Sequence, residues 1–205
     1  MFKIYGPRNW WPANSPFEVI VGAILTQNTS WRNVDKAIRN LKKKRKLSPR
    51  ALHNIGKTEL ASLIRPSGYY NIKAKRLKSF IDFLFKKHKG SLKSLFSGAA
   101  GSLRAKLLNI NGIGPETADS IILYAANKPV FVVDAYTKRI LQRQGLIKKS
   151  ASYEKVQQLF EGNLPKSSRL FNEYHALIVE HAKTICKKKP LCALCALRKD
   201  CKYKG

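Results

Sequence analysis

The amino-acid sequence predicts an all-α fold, because apolar residues recur at helical spacing along most of its 205 residues. The segment 31–44 has an apolar face and a basic outer face; the apolar face is formed by Val34, Ala37, Ile38 and Leu41. The one run with β-strand character is PVFVV, residues 129–133. A single strand does not make a sheet, so this run does not change the predicted class.

Three further helices are predicted in the first half of the chain. Residues 16–27 are almost wholly apolar, which indicates a helix buried on all sides. Thr58 is the predicted N-cap of a short helix. Residues 71–88 carry lysines opposite an apolar face, which indicates a long amphipathic helix; the apolar face is formed by Ala74, Leu77, Ile81 and Leu84.

The second half of the chain continues the helical pattern. Residues 102–110 form a predicted helix that ends at Asn111-Gly112. The next helix is predicted over 115–126, with Pro115 at a favoured first-turn position. Two more helices are predicted over 153–160 and 167–183, so helices account for nearly the whole chain.

The charge of the chain indicates a polyanionic partner. Forty basic residues stand against twelve acidic ones, giving a formal net charge of +28. Nucleic acid is the first candidate, and an anionic membrane or a merely soluble basic surface are the alternatives. The longest apolar runs, VIVGAIL and PVFVV, fall short of a membrane span, and the N-terminus does not have the pattern of a signal peptide. We therefore expect double-stranded DNA as the partner and no membrane.

The stretch LLNINGIGPETADSI, residues 107–121, reads as a helix, a tight turn and a second helix. Gly112 and Gly114 are expected to allow unusual backbone conformations and close approach of a ligand. The second helix would present unpaired N–H groups and the positive end of its dipole to an anion. An ordinary helix–helix turn is the alternative, but the charge of the chain favours a DNA phosphate.

This hairpin, followed by VFVVDAYTKRI, resembles the helix-hairpin-helix DNA glycosylase superfamily, and in particular its endonuclease III-like group. The resemblance runs from about Trp10 to Cys201. It implies a two-lobed all-α fold with a DNA-binding cleft. Residues 18–130, with the hairpin at 107–120, would form one lobe. Residues 1–17 and 131–205 would form the other, so the fold class implied is a two-lobed helix-hairpin-helix glycosylase fold with a C-terminal iron–sulfur cluster loop.

The resemblance assigns roles to two acidic residues. Bifunctional members carry a lysine in the hairpin that forms a Schiff base with the sugar, and Glu116 occupies that position here. A carboxylate cannot form a Schiff base, so the protein is expected to be monofunctional, unless Lys106 or Lys138 substitutes. Glu116 would then only complement the helix N-terminus. Asp134 matches the catalytic aspartate, although its sequence context is also that of a helix N-cap.

Further motifs are similar to the 3-methyladenine DNA glycosylase III branch of the superfamily. That resemblance places Trp10, Trp11, Pro12 and Trp31 in a base pocket. An alkylated base is cationic, and aromatic faces attract cations. The resemblance also makes Gln27 the residue that fills the space of a flipped-out base, and Tyr69 a wedge. Further expected DNA contacts lie in the hairpin, at Asn111, Gly112, Ile113, Gly114 and Thr117.

Four cysteines follow the spacing Cys186-x5-Cys192-x2-Cys195-x5-Cys201. Such a cluster indicates a metal site in a reducing compartment rather than disulfides. The single short Cys-x-x-Cys step favours a [4Fe–4S] cluster, with zinc as the alternative. The resemblance supports the cluster, although its first gap is one residue longer in the family. It would hold a basic loop in which Lys187 and Lys188 face phosphate.

The function expected from the sequence is therefore removal of alkylated purines, chiefly 3-methyladenine, by a monofunctional DNA glycosylase of base excision repair. The resemblance implies a monomer, and the expected location is the cytoplasm, with the nucleoid. A bifunctional, uracil or mismatch glycosylase on the same fold is one alternative. A non-catalytic DNA-binding protein is the other, and it would bind DNA without releasing a base.

Overall fold

The computed structural model describes residues 1–8, 11 and 13–203. Every regular element within these ranges is helical, which confirms the all-α class. The chain divides into two compact units. We call Trp11–Asn127 the central unit, and the discontinuous pair Met1–Trp10 and Lys128–Gly205 the terminal unit.

The helices of the described residues are numbered in chain order. Those of the central unit are α2 (Pro16–Leu25), α3 (Trp31–Lys43), α4 (Pro49–Asn54), α5 (Lys57–Leu63), α6 (Tyr70–His88), α7 (Leu92–Phe96), α8 (Ala100–Leu108) and α9 (Pro115–Ser120), with a 3₁₀ turn at Arg65–Ser67 and a π-helical turn at Ile121–Ala125. Those of the terminal unit are α1 (Phe2–Tyr5), α10 (Ala135–Arg143), α11 (Tyr153–Glu161) and α12 (Ser168–Thr184), with a 3₁₀ turn at Cys192–Leu194.

Helix α2 is the core of the central unit, as its composition predicts. Every residue from Phe17 to Leu25 is buried, because α2 packs against α3, α6, α9 and the π-helical turn. Ser15 caps its first turn by accepting a hydrogen bond from the backbone N–H of Glu18 at 3.2 Å. The helix ends at Leu25, two residues before the predicted end.

The amphipathic predictions for α3 and α6 are confirmed, since their apolar faces are buried. The prediction that Thr58 caps a helix is wrong. Gly56 is the N-cap of α5, and Thr58 is an exposed residue inside the helix. Gly56 takes the extended N-cap conformation, and no side chain contributes a capping hydrogen bond there. A threonine close to the start of a helix therefore does not by itself identify the N-cap.

The PVFVV run belongs to no helix and to no sheet within the described residues, and the absence of a sheet was expected. Side chains instead satisfy the backbone of Phe131. Its N–H donates to Glu161 Oε1 at 2.8 Å, and its carbonyl accepts from Gln157 Nε2 at 2.7 Å. The Phe131 ring stacks on Phe160 with centroids 3.8 Å apart. Helix α11 thus holds the segment that leads into Asp134.

The N-terminal segment belongs to the terminal unit through contacts with α12. The Tyr5 hydroxyl lies 2.8 Å from His181 Nδ1. The backbone N–H of Arg8 donates to Glu173 Oε1 at 2.7 Å, and its guanidinium pairs with Glu180 at 3.0 Å. In the part of the chain that the structure describes, no helix is both long and apolar enough to cross a bilayer.

Candidate active site and nucleic-acid interface

The turn between α8 and α9 depends on one of its two glycines. Gly112 has φ +87°, and a Cβ there would lie 2.2 Å from Arg76 Cγ, so only glycine fits. Gly114 differs from expectation, since its φ of −94° and ψ of 179° suit any residue. A Cβ on Gly114 would meet nothing within 4 Å. Gly114 is also exposed, so its backbone is open to close approach by a ligand.

A buried ion pair fixes α8 against α9. Arg104 donates to both carboxylate oxygens of Asp119, from Nε at 2.8 Å and from a terminal nitrogen at 3.2 Å. The Asp119 side chain is fully buried. This bidentate pair sets the angle of the hairpin, because each partner sits on a different helix. Sequence reasoning missed it, although one charged residue on each helix of a hairpin is a signal worth testing.

Gln27, predicted to enter DNA, contacts the hairpin in this structure. Its Nε2 donates to the carbonyl of Gly112 at 3.0 Å and to the Thr117 hydroxyl at 2.9 Å. Its Oε1 accepts a hydrogen bond from Arg76. The loop after α2, helix α6 and the hairpin are therefore joined by one amide group.

The remaining predicted DNA-contact residues of the central unit differ in exposure. Asn111 is exposed, whereas Ile113 and Thr117 are buried, so Ile113 offers only its backbone to a ligand. Tyr69 is 69% exposed and lies in the left-handed region at φ +47°. A non-glycine residue in that conformation costs about 1 kcal/mol or more. An exposed aromatic ring on such a backbone is consistent with the wedge prediction.

Asp134 combines burial with an organised set of donors. It is the N-cap of α10 and accepts hydrogen bonds from the Thr137 backbone N–H at 2.7 Å and hydroxyl at 2.9 Å. Its other oxygen lies 3.5 Å from His175 Nε2. Burial alone would raise the pKa of Asp134, but the nearby His175 ring and the two hydrogen bonds from Thr137 hold that pKa below its ordinary value.

His175 is a site residue that sequence reasoning missed. It is 5% exposed and lies on α12, with its ring edge-on to Phe131 at 6.3 Å. A histidine on the buried face of a helix usually indicates core packing. The available sequence signal was the spacing of His175 and the apolar Val179, four residues apart and so on one helix face, in a chain with four histidines.

Two of the four predicted pocket residues, Trp10 and Pro12, lie outside the described residues. The other two, Trp11 and Trp31, meet edge to face with ring centroids 5.4 Å apart. Tyr124, which sequence reasoning missed, stacks obliquely on Trp11 at 4.8 Å. Gly22 lies beneath them, since a Cβ there would be 3.3 Å from the Trp31 ring and 3.5 Å from the Trp11 ring. The central unit therefore contains an aromatic cluster of Trp11, Trp31 and Tyr124.

Two features of the aromatic cluster are typical of a binding site. Trp11 has φ +89°, and its buried indole N–H has no acceptor among the residues that the structure describes. A buried, unsatisfied donor is costly and rare in native proteins. Tyr124 sits in the π-helical turn Ile121–Ala125, a rare element that is frequently found at functional sites. The sequence does not reveal that turn.

The four cysteines line one pocket in the terminal unit, together with Arg143 and His181. All four are free thiols. No group of three or more Cys, His, Asp or Glu side chains is arranged to hold a metal ion in the ranges described. The donor set itself fits an iron–sulfur cluster, because thiolates are its usual ligands. Arg143 donates to Cys186 Sγ at 3.2 Å, so its guanidinium lies beside the cysteine pocket.

Helix α10 anchors the segment that contains the predicted phosphate contacts Lys187 and Lys188. Arg139 donates to the carbonyls of Cys186 and Ala182, both at 2.9 Å. Arg143 donates to the carbonyls of Lys187 at 2.6 Å and Lys188 at 2.9 Å. The side chains of both lysines remain exposed. The loop therefore presents positive charge from a fixed backbone.

With this geometry in place, the comparison with known proteins identifies the class. The chain belongs to the HhH-GPD superfamily of base excision DNA repair proteins, whose sequence profile matches residues 21–166. Membership makes the protein an enzyme acting on DNA, a glycosylase of base excision repair. The resemblance and the glycosylase fold expected from the hairpin motifs are confirmed.

Individual relatives cover nearly the whole chain. A protein of Methanocaldococcus jannaschii named "Putative DNA repair glycosylase" is 50% identical over 98% of this chain and 92% of its own length. The H. pylori 3-methyladenine DNA glycosylase MagIII, solved with 1,N6-ethenoadenine, has a TM-score of 0.77 and 32% identity, covering 88% of this chain and 91% of that chain. A trapped endonuclease III–DNA complex shares the fold, with a TM-score of 0.84 and 22% identity over 98% and 90% of the two chains.

Proposed function

We propose that the protein is a monofunctional DNA N-glycosylase that flips out and excises alkylated purines such as 3-methyladenine, leaving an abasic site. The observation that carries this proposal is the state of Asp134. The Asp134 carboxylate is only 15% exposed, and its pKa is held low by His175 and Thr137, so it stays ionised at neutral pH. Such a group suits a reaction that builds positive charge on a sugar.

In the proposed reaction, the bond between C1′ of the deoxyribose and the base nitrogen breaks, and its electron pair leaves with the base. A cationic alkylated base becomes neutral in this step, so it needs little help from an acid. Asp134 stabilises the oxocarbenium-like sugar and accepts a hydrogen bond from the attacking water. Water adds at C1′ and its proton passes to Asp134 or to solvent. Thr137 and His175 keep the carboxylate in one orientation.

The aromatic cluster supports the choice of substrate. Cation–π attraction is worth about 0.5–2 kcal/mol, and the indole faces of Trp11 and Trp31 are the strongest aromatic partners for it. The buried Trp11 N–H would also find an acceptor on a bound purine. The H. pylori relative, which shares 32% identity, is named for 3-methyladenine and was solved with a modified adenine. Trp10 and Pro12 complete the proposed pocket.

Glu116 supports the monofunctional assignment. It lies in the first turn of α9, at the hairpin position where bifunctional relatives use lysine. Its carboxylate is exposed and cannot attack the sugar to form a Schiff base. Without that intermediate the strand is not cleaved, and the product is an abasic site.

Double-stranded DNA with a damaged base is the proposed partner of a monomeric protein. The hairpin backbone from Asn111 to Gly114 would bind a phosphate, with Thr117 supporting the turn. Tyr69 would be the wedge and Gln27 would fill the vacated space in the duplex. Lys187 and Lys188 would contact phosphate from the terminal unit.

We further propose that Cys186, Cys192, Cys195 and Cys201 hold a [4Fe–4S] cluster. When bound, it would cross-link the loop from 186 to 201 and so fix the two lysines. Iron and acid-labile sulfide measured on protein purified without oxygen test this assignment. About four irons per chain would support it, whereas one zinc per chain would replace it with the alternative.

The test of function uses purified protein and four DNA substrates: duplex treated with a methylating agent, and duplexes with uracil, a T·G mismatch or an oxidised pyrimidine. Released bases are identified by chromatography, and strand breaks are scored with and without hot alkali. Release of 3-methyladenine with breaks only after alkali is the expected result.

Other outcomes would replace the proposal with a defined alternative. Release of uracil or thymine alone would assign a deaminated-base or mismatch glycosylase. Strand breaks without alkali, together with a borohydride-trapped protein–DNA adduct, would show a bifunctional enzyme. Tight, salt-dependent DNA binding with no base released from any substrate would leave a non-catalytic DNA-binding protein.

A further inference from the structure

Arg76 lies against the hairpin and has no role in the chemistry described above. We propose that Arg76 is a positioning residue, which acts through Gln27 to hold the hairpin turn and the Gln27 side chain in the arrangement that damaged DNA requires. The proposal rests on the proposed function. It concerns residues of the central unit only, on α6, in the loop after α2 and in the hairpin.

The first argument is the fit between the Arg76 stem and Gly112. The position that a Cβ of Gly112 would occupy lies 2.2 Å from Arg76 Cγ and 2.7 Å from Cδ. The stem therefore fills the space that the glycine leaves open. Once that space is filled, the backbone of Gly112, at φ +87°, has few other conformations available. Arg76 thus limits the movement of the hairpin backbone on its inner side.

The second argument is the direction of the Gln27 amide. Arg76 can only donate, and the Gly112 carbonyl can only accept. The amide oxygen of Gln27 must therefore face Arg76, and its NH₂ group must face Gly112. The second N–H of that group goes to the Thr117 hydroxyl. Without Arg76 the Gly112 carbonyl alone selects the orientation of the amide, and the Gln27 oxygen loses its hydrogen-bond donor. The Gln27 side chain is then held less firmly.

The third argument concerns charge. The Arg76 guanidinium is half-buried and directed at Gln27, whereas Lys75, the next residue on α6, is exposed. Arg76 is thus placed to order the protein rather than to neutralise a phosphate. Gln27 is the residue proposed to fill the vacated space in the duplex. A fixed position of its side chain should therefore affect recognition of a missing base more than affinity for intact DNA.

The experiment compares Arg76→Met, which keeps the stem and loses the guanidinium, with Lys75→Met as the matched loss of one exposed charge. Binding is measured to an intact duplex and to a duplex with a tetrahydrofuran abasic analogue, at several salt concentrations. Single-turnover base release is measured on methylated DNA, and thermal unfolding reports folding. We expect Arg76→Met to lose about tenfold in both abasic preference and release rate, with intact-duplex affinity and salt slope like the wild type.

The salt dependence separates this role from a direct phosphate contact. Loss of one phosphate contact reduces the slope of log K against log salt by about 0.9. Such a reduction in Arg76→Met would overturn the proposal. A second check is a double-mutant cycle with Gln27→Leu. We expect Arg76→Met to have no added effect in that background, and fully additive effects would also overturn the positioning role.

The abasic-analogue measurement keeps the two proposals apart. If the wild type releases no base from any substrate, the proposed function fails. The positioning role still stands if Arg76→Met lowers abasic preference, and it fails if the wild type shows no such preference. If the wild type releases 3-methyladenine and Arg76→Met does so equally fast, the proposed function stands and the role of Arg76 is refuted.

Discussion

Asp134 in the terminal unit and Glu116 in the hairpin of the central unit are acidic residues in opposite environments. Asp134 is directed inward at the start of α10, with Thr137 and His175 around its carboxylate. Glu116 is exposed in the first turn of α9. Both sit at a helix N-terminus, where a negative charge is favourable.

The difference shows that position on a helix does not determine what a carboxylate can do. Glu116 is exposed to solvent on the first turn of α9. Around Asp134, protein groups replace water, and each one favours the ionised form in one geometry. A fixed charge in a site with little water stabilises a developing cation far more than a solvated one. The predictions below test this contrast, from the largest effect to the smallest.

Asp134→Asn should reduce single-turnover base release by about a thousandfold, since the amide keeps the shape and loses the charge. Asparagine caps helices about as well as aspartate, so thermal stability should change little. Affinity for intact duplex, measured by fluorescence anisotropy, should be unchanged. A variant that retains full activity would remove Asp134 from the chemistry.

Arg104→Met should destabilise the protein by about 3 kcal/mol, because it removes the bidentate ion pair of the fully buried Asp119. Urea unfolding measures the effect, and Lys93→Met, an exposed change on α7, is the control. Adding Asp119→Leu to Arg104→Met should restore most of the loss. If the double variant is no more stable than the single one, the ion pair does not explain the stability of the hairpin.

His175→Phe should shift the acid limb of the rate–pH profile to higher pH. His175 lowers the pKa of Asp134 while burial raises it, so removing His175 raises that pKa and protonates the carboxylate sooner as pH falls. The free energy of unfolding should depend on pH in the same way, because it is linked to the same pKa. In the wild type, the ionised Asp134 contributes to the free energy of unfolding above about pH 4. That contribution is lost as the pH falls through the lower pKa of the folded state.

In His175→Phe that loss should begin at higher pH. The control is Tyr174→Phe, a neighbouring change within the same aromatic packing as Phe131. Identical rate–pH profiles for wild type and His175→Phe would show that Thr137 alone keeps Asp134 ionised.

Glu116→Gln should have the smallest effect. The loss of one exposed first-turn charge should cost about 0.5 kcal/mol in urea unfolding, and the release rate should stay within about twofold. A tenfold fall in rate would contradict the contrast with Asp134 and would bring Glu116 into the chemistry.

Periodic features of this chain could be predicted from sequence, and long-range pairs could not. The apolar faces of α3 and α6 follow from spacing alone, and so do the burial of α2 and the capping position of Asp134. These are local properties, determined by residues within a few positions of each other. The family motifs then point to the hairpin and the cysteines.

The missed residues depend on partners distant in sequence. His175 reads as a core residue of α12 until Asp134 is placed beside it. Arg104 and Arg76 read as surface charges until Asp119 and Gln27 are found in contact with them. Tyr124 was missed for a different reason. The π-helical turn adds a residue to the helix, so the Tyr124 side chain does not point in the direction that 3.6 residues per turn would predict.

The discontinuous terminal unit has a consequence for biosynthesis. The central unit is continuous, so a ribosome completes Trp11–Asn127 before it makes the 78 residues from Lys128 to Gly205. At roughly 5–20 residues per second that remainder takes on the order of 4–16 s. Until α12 emerges, Tyr5 and Arg8 lack the residues that they bind in the finished protein. Tyr5 and Arg8 therefore reach their folded contacts only after α12 has been made, and until then they are open to chaperones and proteases.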